Sequence, residues 1–331
     1  MNTIGVHGNL LLLALCLGSI ATTGTGWTEM EDPLTKETFV FKKANGLEIK
    51  ADAYGIDKTQ TKPVIVNIHG GALIVGHRGW TGGGILPGLV EAGYVVVCID
   101  YRLAPETKLE GIIQDLKDAF SWVREEGPHL LNIDPDKLGV IGSSAGGYLT
   151  LMSGFCVTPR PKALVSYYGY GDIVGDWYGK PDPFYCQQEA VPKEEAYSVV
   201  GGSPLSEDKG GNKRGRFYLY CRQNGLWLQE VSGHDPHIEP EYFVRFCPVR
   251  NVDAAYPPTI LLHGDADTDV PYGQSVLMAN ELERIGVVHE FITIPGGPHG
   301  FDHQDGGLKN PRNREVFDRV LAFLETHLER E

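Results

Sequence analysis

Ser144 stands in Gly142-Ser143-Ser144-Ala145-Gly146, a GxSxG pentad. A serine hydroxyl is a weak nucleophile until a base takes its proton. A sharp strand-to-helix turn lifts such a hydroxyl into a cleft, and glycines flank it because a Cβ there would collide with neighbouring backbone. The helix that follows would aim its N-terminal N–H groups where negative charge develops. A second cluster, His69-Gly70-Gly71-Ala72, can supply preorganised donors for an oxyanion. The amides of Gly70, Gly71 or Ala72, with that of Ala145, are the candidates. His69 itself reads as structural.

Acyl transfer by serine also needs a base and an acid that orients it. His299 lies in the Gly/Pro-rich loop of residues 295–301, and Asp265, Asp267 and Asp269 alternate in residues 263–271. Spacing alone does not choose among the three aspartates. The chain order serine, aspartate, histidine is the one found on sheets that carry a nucleophile elbow. His299 and His303, or His234 and His237, are spaced as metal pairs, but no third ligand has convincing spacing, so neither a metal nor a cofactor is expected.

These groups need elements to hold them. Residues 39–54 read as two strands around a turn at Asn45-Gly46. Residues 64–68, 94–99, 138–141, 163–168, 259–263 and 289–294 are short apolar or β-branched runs, which predicts buried strands. Helical spacing marks residues 85–92, 109–126, 145–155, 272–285 and 312–328. Strands alternating with helices predict an α/β fold with a mostly parallel central sheet covered on both faces. Ser144 would then sit between a strand and a helix, and His299 between the last strand and the last helix.

The alternation lapses over residues 171–250, which are rich in Gly, Pro, aromatic and charged residues. So long a loop without structure is uncommon in a compact domain, so the segment reads as an inserted cap subdomain. Trp177, Tyr178 and Trp227 are its candidate substrate-binding residues, and Cys186, Cys221 and Cys247 could supply it with a disulfide.

The motifs together resemble the hormone-sensitive-lipase-like and acetyl-esterase branch of the α/β-hydrolases. His-Gly-Gly-Ala at 69–72, Asp-Tyr-Arg-Leu-Ala-Pro-Glu at 100–106 and Gly-Ser-Ser-Ala-Gly-Gly at 142–147 carry the likeness, over roughly residues 60–325 apart from the insertion. Ala72 replaces the family's third glycine and Ser143 its aspartate. The resemblance implies an α/β-hydrolase fold and a carboxylesterase that forms an acyl-enzyme on Ser144. It maps the family's acid loop onto Asp267, leaving Asp265 and Asp269 to brace the turn or face solvent, and its histidine motif onto His299. Two other readings compete. A prolyl-oligopeptidase-like peptidase shares the catalytic arrangement, although the segment at 101–106 favours esterases. A non-catalytic receptor on the same fold typically lacks the histidine that is present here.

Composition narrows the partners. The 331 residues include 29 Lys and Arg against 43 Asp and Glu, a formal charge of −14. Such a surface repels phosphate backbones, so nucleic acid is not an expected partner. A small-molecule ester is expected, with acylated carbohydrate among the open candidates, and the oligomeric state is left open. Residues 10–20 form an apolar run too short for a stable membrane span and followed by small residues. Residues 1–26 therefore read as a signal peptide or leader, residues 27–331 as the catalytic domain, and the protein as exported. A leader that is not a signal would leave it cytoplasmic.

Overall fold

The computed structural model describes residues 34–209 and 213–328; the leader read in residues 1–26 lies outside them. At the edge of the sheet, β1 (Lys36–Ala44) and β2 (Leu47–Tyr54) form an antiparallel hairpin. Asn45 and Gly46 turn the chain with φ of 51° and 83°, the pair of positive angles that a two-residue hairpin turn requires. Then come β3 (Lys62–Ile68), β4 (Val95–Ile99), β5 (Ile133–Ser143), β6 (Ala163–Tyr167), β7 (Thr259–Gly264) and β8 (His289–Ile294). The sheet order is β1-β2-β4-β3-β5-β6-β7-β8, parallel from β4 to β8. Strand β5 begins earlier than its apolar run because Ile133 and Asp134 pair with Lys62 and Pro63 before a register shift brings Leu138 opposite Val64.

The helices in chain order are α1 (Ile85–Glu91), α2 (Leu109–Glu125), α3 (Gly127–Leu131), α4 (Ala145–Cys156), α5 (Asp176–Gly179), α6 (Lys193–Tyr197), α7 (Lys213–Asn224), α8 (Trp227–Ser232), α9 (Pro240–Phe243), α10 (Gly273–Ile285) and α11 (Pro311–Leu328). Strand β4, Val-Val-Val-Cys-Ile, is buried at every position. Its side chains divide by the period of two: Val95, Val97 and Ile99 enter one core cluster with α2, α4 and α10, while Val96 and Cys98 enter another with α1 and α11. Both faces are therefore covered, as a parallel sheet requires. Each fully buried side chain of this size contributes about 1.5–3 kcal/mol.

The segment of residues 171–250 enters between β6 and β7 and contains α5 to α9. Its buried aromatics, Tyr178, Tyr185, Phe217, Trp227 and Phe243, belong to the same cluster as α2 and α4 instead of forming a core apart. Tyr148 of α4 stitches the two together: it stacks on Tyr170 at 4.9 Å and donates to the carbonyl of Phe246 at 2.9 Å. The cysteines of this segment are free thiols, so the anticipated cross-link is absent among the described residues. A packed interface with the sheet's helices takes over the task that a disulfide would have had.

Candidate active site

The loops that follow the parallel strands at their carboxyl ends meet in one cavity of about 540 Å³. Its lining includes Gly70, Gly71 and Ala72 after β3, Ser143 at the end of β5 and Ser144 after it, Asp269 after β7 and His299 after β8. Crevices in open α/β sheets form at this end of the strands.

Ser144 joins β5 to α4 with φ 55° and ψ −120°, a conformation that costs a non-glycine residue of order 1–3 kcal/mol and persists only where surroundings enforce it. Here they do. Ser144 donates its backbone N–H to Tyr167 at 2.9 Å, and its carbonyl accepts from Tyr148 at 2.9 Å. A Cβ on Gly146 would sit 2.0 Å from the carbonyl oxygen of Ile68, and one on Gly142 2.3 Å from that of Gly146. The elbow can therefore close only with glycine on both sides.

The loop after β3 is as constrained. Gly71 has φ 102°, and a Cβ there would lie 2.2 Å from the carbonyl oxygen of Val75. Ala72 and Leu73 also have positive φ, 54° and 63°. His69 lies beneath this loop, stacked on Tyr101 at 4.2 Å. Its Nδ1 is 2.7 Å from the Gly70 carbonyl, an atom that only accepts, so Nδ1 carries the proton. Burial holds the ring neutral by pushing its pKa down to about 3. His69 thus orients the loop and is no base.

Asp267 accepts three hydrogen bonds and lies within ion-pair distance of a second histidine. Its Oδ1 takes the N–H groups of Asp269 at 2.8 Å and Val270 at 2.9 Å. Its Oδ2 takes His299 Nδ1 at 2.7 Å and lies 3.2 Å from His263 Nε2. Burial opposes its charge, but the charge of His299 and the bonds from His263 and His299 win and hold the carboxyl well below the usual range. His263 was not singled out in the sequence. Its Nε2 also faces the carbonyl of Val270 at 3.0 Å and so carries the proton, leaving Nδ1 to accept from Ser275 Oγ at 2.7 Å. For His299, burial lowers the pKa, but the carboxylates of Asp267 and Asp269 and the Asp267 hydrogen bond raise it to about 9.

The other aspartates divide. Asp265 is exposed and accepts from Gly296 N–H at 2.6 Å, bracing the acid loop against the histidine loop. Asp269 was expected to serve the turn or face solvent; instead it lines the cavity, with Oδ2 3.5 Å from His299 Nε2.

Trp177, Tyr178 and Trp227 are not among the lining residues. They stack on one another, with centroids 3.6 Å and 3.8 Å apart, because three flat apolar rings gain more from mutual burial than from a polar cavity. Trp227 reaches the site indirectly, donating from Nε1 to the carbonyl of Ala72 at 2.9 Å. Arg214 acts on the same loop, bonding the carbonyl of Ile74 at 2.8 Å while its guanidinium pairs with Glu106. The insertion's contribution to the lining comes from Gly215 and Tyr218 of α7. Trp80, in the loop after β3, and His303, in a short 3-10 segment after β8, also line the cavity.

A mostly parallel eight-stranded sheet with these loops at its carboxyl edge is the α/β-hydrolase fold. Residues 51–209 match the family model described as BD-FAE, and residues 218–331 that of the prolyl oligopeptidase family. Among solved structures, an alpha/beta hydrolase superfamily protein from Enterococcus faecalis superposes with TM-score 0.66 at 22% identity, covering 88% of this chain and 99% of that one. A truncated carbohydrate esterase from gut microbiota superposes with TM-score 0.63 at 22% identity, covering 91% and 99%. The non-reducing polyketide synthase mapC' of Penicillium brevicompactum is 27% identical over 346 aligned positions, 90% of this chain and 16% of the synthase. The chain thus spans about one-sixth of that relative's length.

Proposed function

We propose that this chain is a serine hydrolase that cleaves carboxylic esters through an acyl-enzyme on Ser144. His299 takes the serine proton and returns it to the leaving alcohol, Asp267 fixes its tautomer, and the oxyanion is received by amides from among Gly70, Gly71 and Ala72 together with that of Ala145. Water activated by His299 then releases the acid. The observation that carries this reading is the conjunction of the strained Ser144 elbow with the 2.7 Å His299–Asp267 bond at one cavity. Residues 171–250 act as a cap that shapes the pocket and excludes water, supported by Gly215 and Tyr218 in the wall. The substrate is a small-molecule ester, with acylated carbohydrate a candidate because a structural neighbour is a carbohydrate esterase. Residues 1–26 direct export.

The match of residues 218–331 to the prolyl oligopeptidase family favours one second reading, a serine peptidase with the same residues in the same roles. Parallel hydrolysis assays on p-nitrophenyl esters of graded acyl length, acetylated sugars and prolyl peptide anilides separate the two. The ester reading predicts turnover of esters that Ser144→Ala lowers by roughly four orders of magnitude. Turnover confined to the anilides, or undiminished in the variant, contradicts it.

A further inference from the structure

We propose that Asp269 is a positioning residue for His299, a second carboxylate held by the insertion against the catalytic edge of the imidazole. This rests on the reading of His299 as the base. Asp267 meets His299 at Nδ1, where an orienting acid belongs. Asp269 meets the opposite nitrogen: its Oδ2 is 3.5 Å from Nε2 and lines the cavity that Ser144 lines. That distance suits an interaction between charges more than a hydrogen bond.

Asp269 is held there by design of the surrounding side chains. Its Oδ1 accepts from Tyr218 OH at 2.6 Å and Arg222 Nη1 at 2.7 Å, and its carbonyl accepts from both Arg222 Nη atoms at 3.2 Å. Arg222 is buried, donates to Tyr218 OH at 2.7 Å, pairs with Asp182 at 2.5 Å, and lies over the rings of Tyr178 and Tyr185. The two residues that fix Asp269 both come from α7, so the insertion reaches the base through this carboxylate. Also near His299 are Asp267 at its Nδ1, the ring of Tyr168 at 4.6 Å, and Asp302, which accepts from Tyr168 OH at 2.6 Å. Arg222 is the countercharge on the far side of Asp269, and Oδ2 is the carboxylate atom turned to the histidine.

A carboxylate at that edge stabilises the imidazolium relative to the neutral ring. Two consequences follow with definite signs. The base becomes neutral, and so competent to accept the serine proton, only at higher pH. Once it has accepted that proton, the cation in the transition state is better stabilised. Replacing Asp269 by Asn should therefore move the midpoint of kcat/KM against pH downward and lower the plateau.

The test is a pH-stat titration of kcat/KM for a short-chain aliphatic ester by the intact chain, its D269N and D269E variants, and S144A. The D269N midpoint should fall by about one pH unit or more, the usual effect of a charge within ~4–6 Å. The D269E variant should restore an alkaline midpoint. A D269N profile with the wild-type midpoint overturns the proposal while leaving the triad standing; turnover that survives S144A instead overturns the triad. Should D269N fail to fold, the His299 ring protons are titrated by NMR in S144A and in S144A that also carries D269S. A midpoint lower in the D269S protein supports the proposal, and an unchanged one contradicts it.

Discussion

Asp267 satisfies two histidines and two backbone amides at once, which is why a carboxylate can stay ionised with its side chain fully buried. Removing its charge would leave His299 without its orienting acceptor and His263 with one partner fewer. Asp267→Asn should lower kcat by roughly 10³–10⁴-fold while phosphonate labelling at high pH persists in part, measurable in paired kinetic and labelling assays. The titration of His299 sets the working pH. Its folded pKa is raised toward about 9, and a base works only when neutral, so kcat/KM should climb through an alkaline midpoint and be nearly lost at pH 6. A wild-type midpoint close to 6.5, the value expected of a histidine with no such neighbours, would show that the two carboxylates do not act on the ring as the geometry implies. The role of Asp269 was not legible in the sequence. Three alternating aspartates give one spacing and three environments, and only the fold brings α7 against one of them.

The sheet elements, by contrast, were legible almost to their ends. β-branched runs such as Val95–Ile99 and the helical spacing of Leu109–Glu125 leave few alternatives once both faces of the sheet must be covered. The loops were legible in part, because glycine has a function at its strained positions. Gly71 is the clearest case: at φ 102° and with a Cβ destined 2.2 Å from a carbonyl oxygen, it admits no side chain without moving the loop that carries the proposed oxyanion donors. Gly71→Ala should cost about 10²–10³-fold in kcat, with a melting temperature that falls measurably by calorimetry. Trp227 illustrates what spacing cannot tell. Its aromatic character suggested a substrate wall, whereas its indole N–H supports the carbonyl of Ala72 from behind. Trp227→Phe keeps the ring packing and deletes only that bond. It should lower kcat by roughly tenfold with KM nearly unchanged, since a lost buried hydrogen bond is worth about 1–3 kcal/mol and here falls on transition-state geometry. A change in acyl-chain preference without a change in kcat would restore the direct-contact role.

At the scale of the molecule, the insertion and the sheet are one packed body. Arg214 and Trp227 hold the loop after β3, and Arg222 and Tyr218 hold the loop after β7. The insertion therefore contacts both halves of the site, and its fold and the site's geometry are coupled. The sequence showed that a segment intervened there, but its lack of periodicity hid how it packs, since short helices joined by irregular turns carry no repeating signal. Free thiols at Cys186, Cys221 and Cys247 mean that reducing agents should leave both melting temperature and turnover unchanged, a result that a thermal melt with and without dithiothreitol checks. The central claim is that this whole arrangement exists to activate one hydroxyl. Its most direct test is to treat the intact protein with a fluorophosphonate probe and locate the adduct by peptide mass spectrometry. The account predicts a single stoichiometric adduct on Ser144, absent from Ser144→Ala and slowed when His299 is replaced by Gln. An adduct on Ser143, or labelling unchanged in the Ser144→Ala protein, would contradict it.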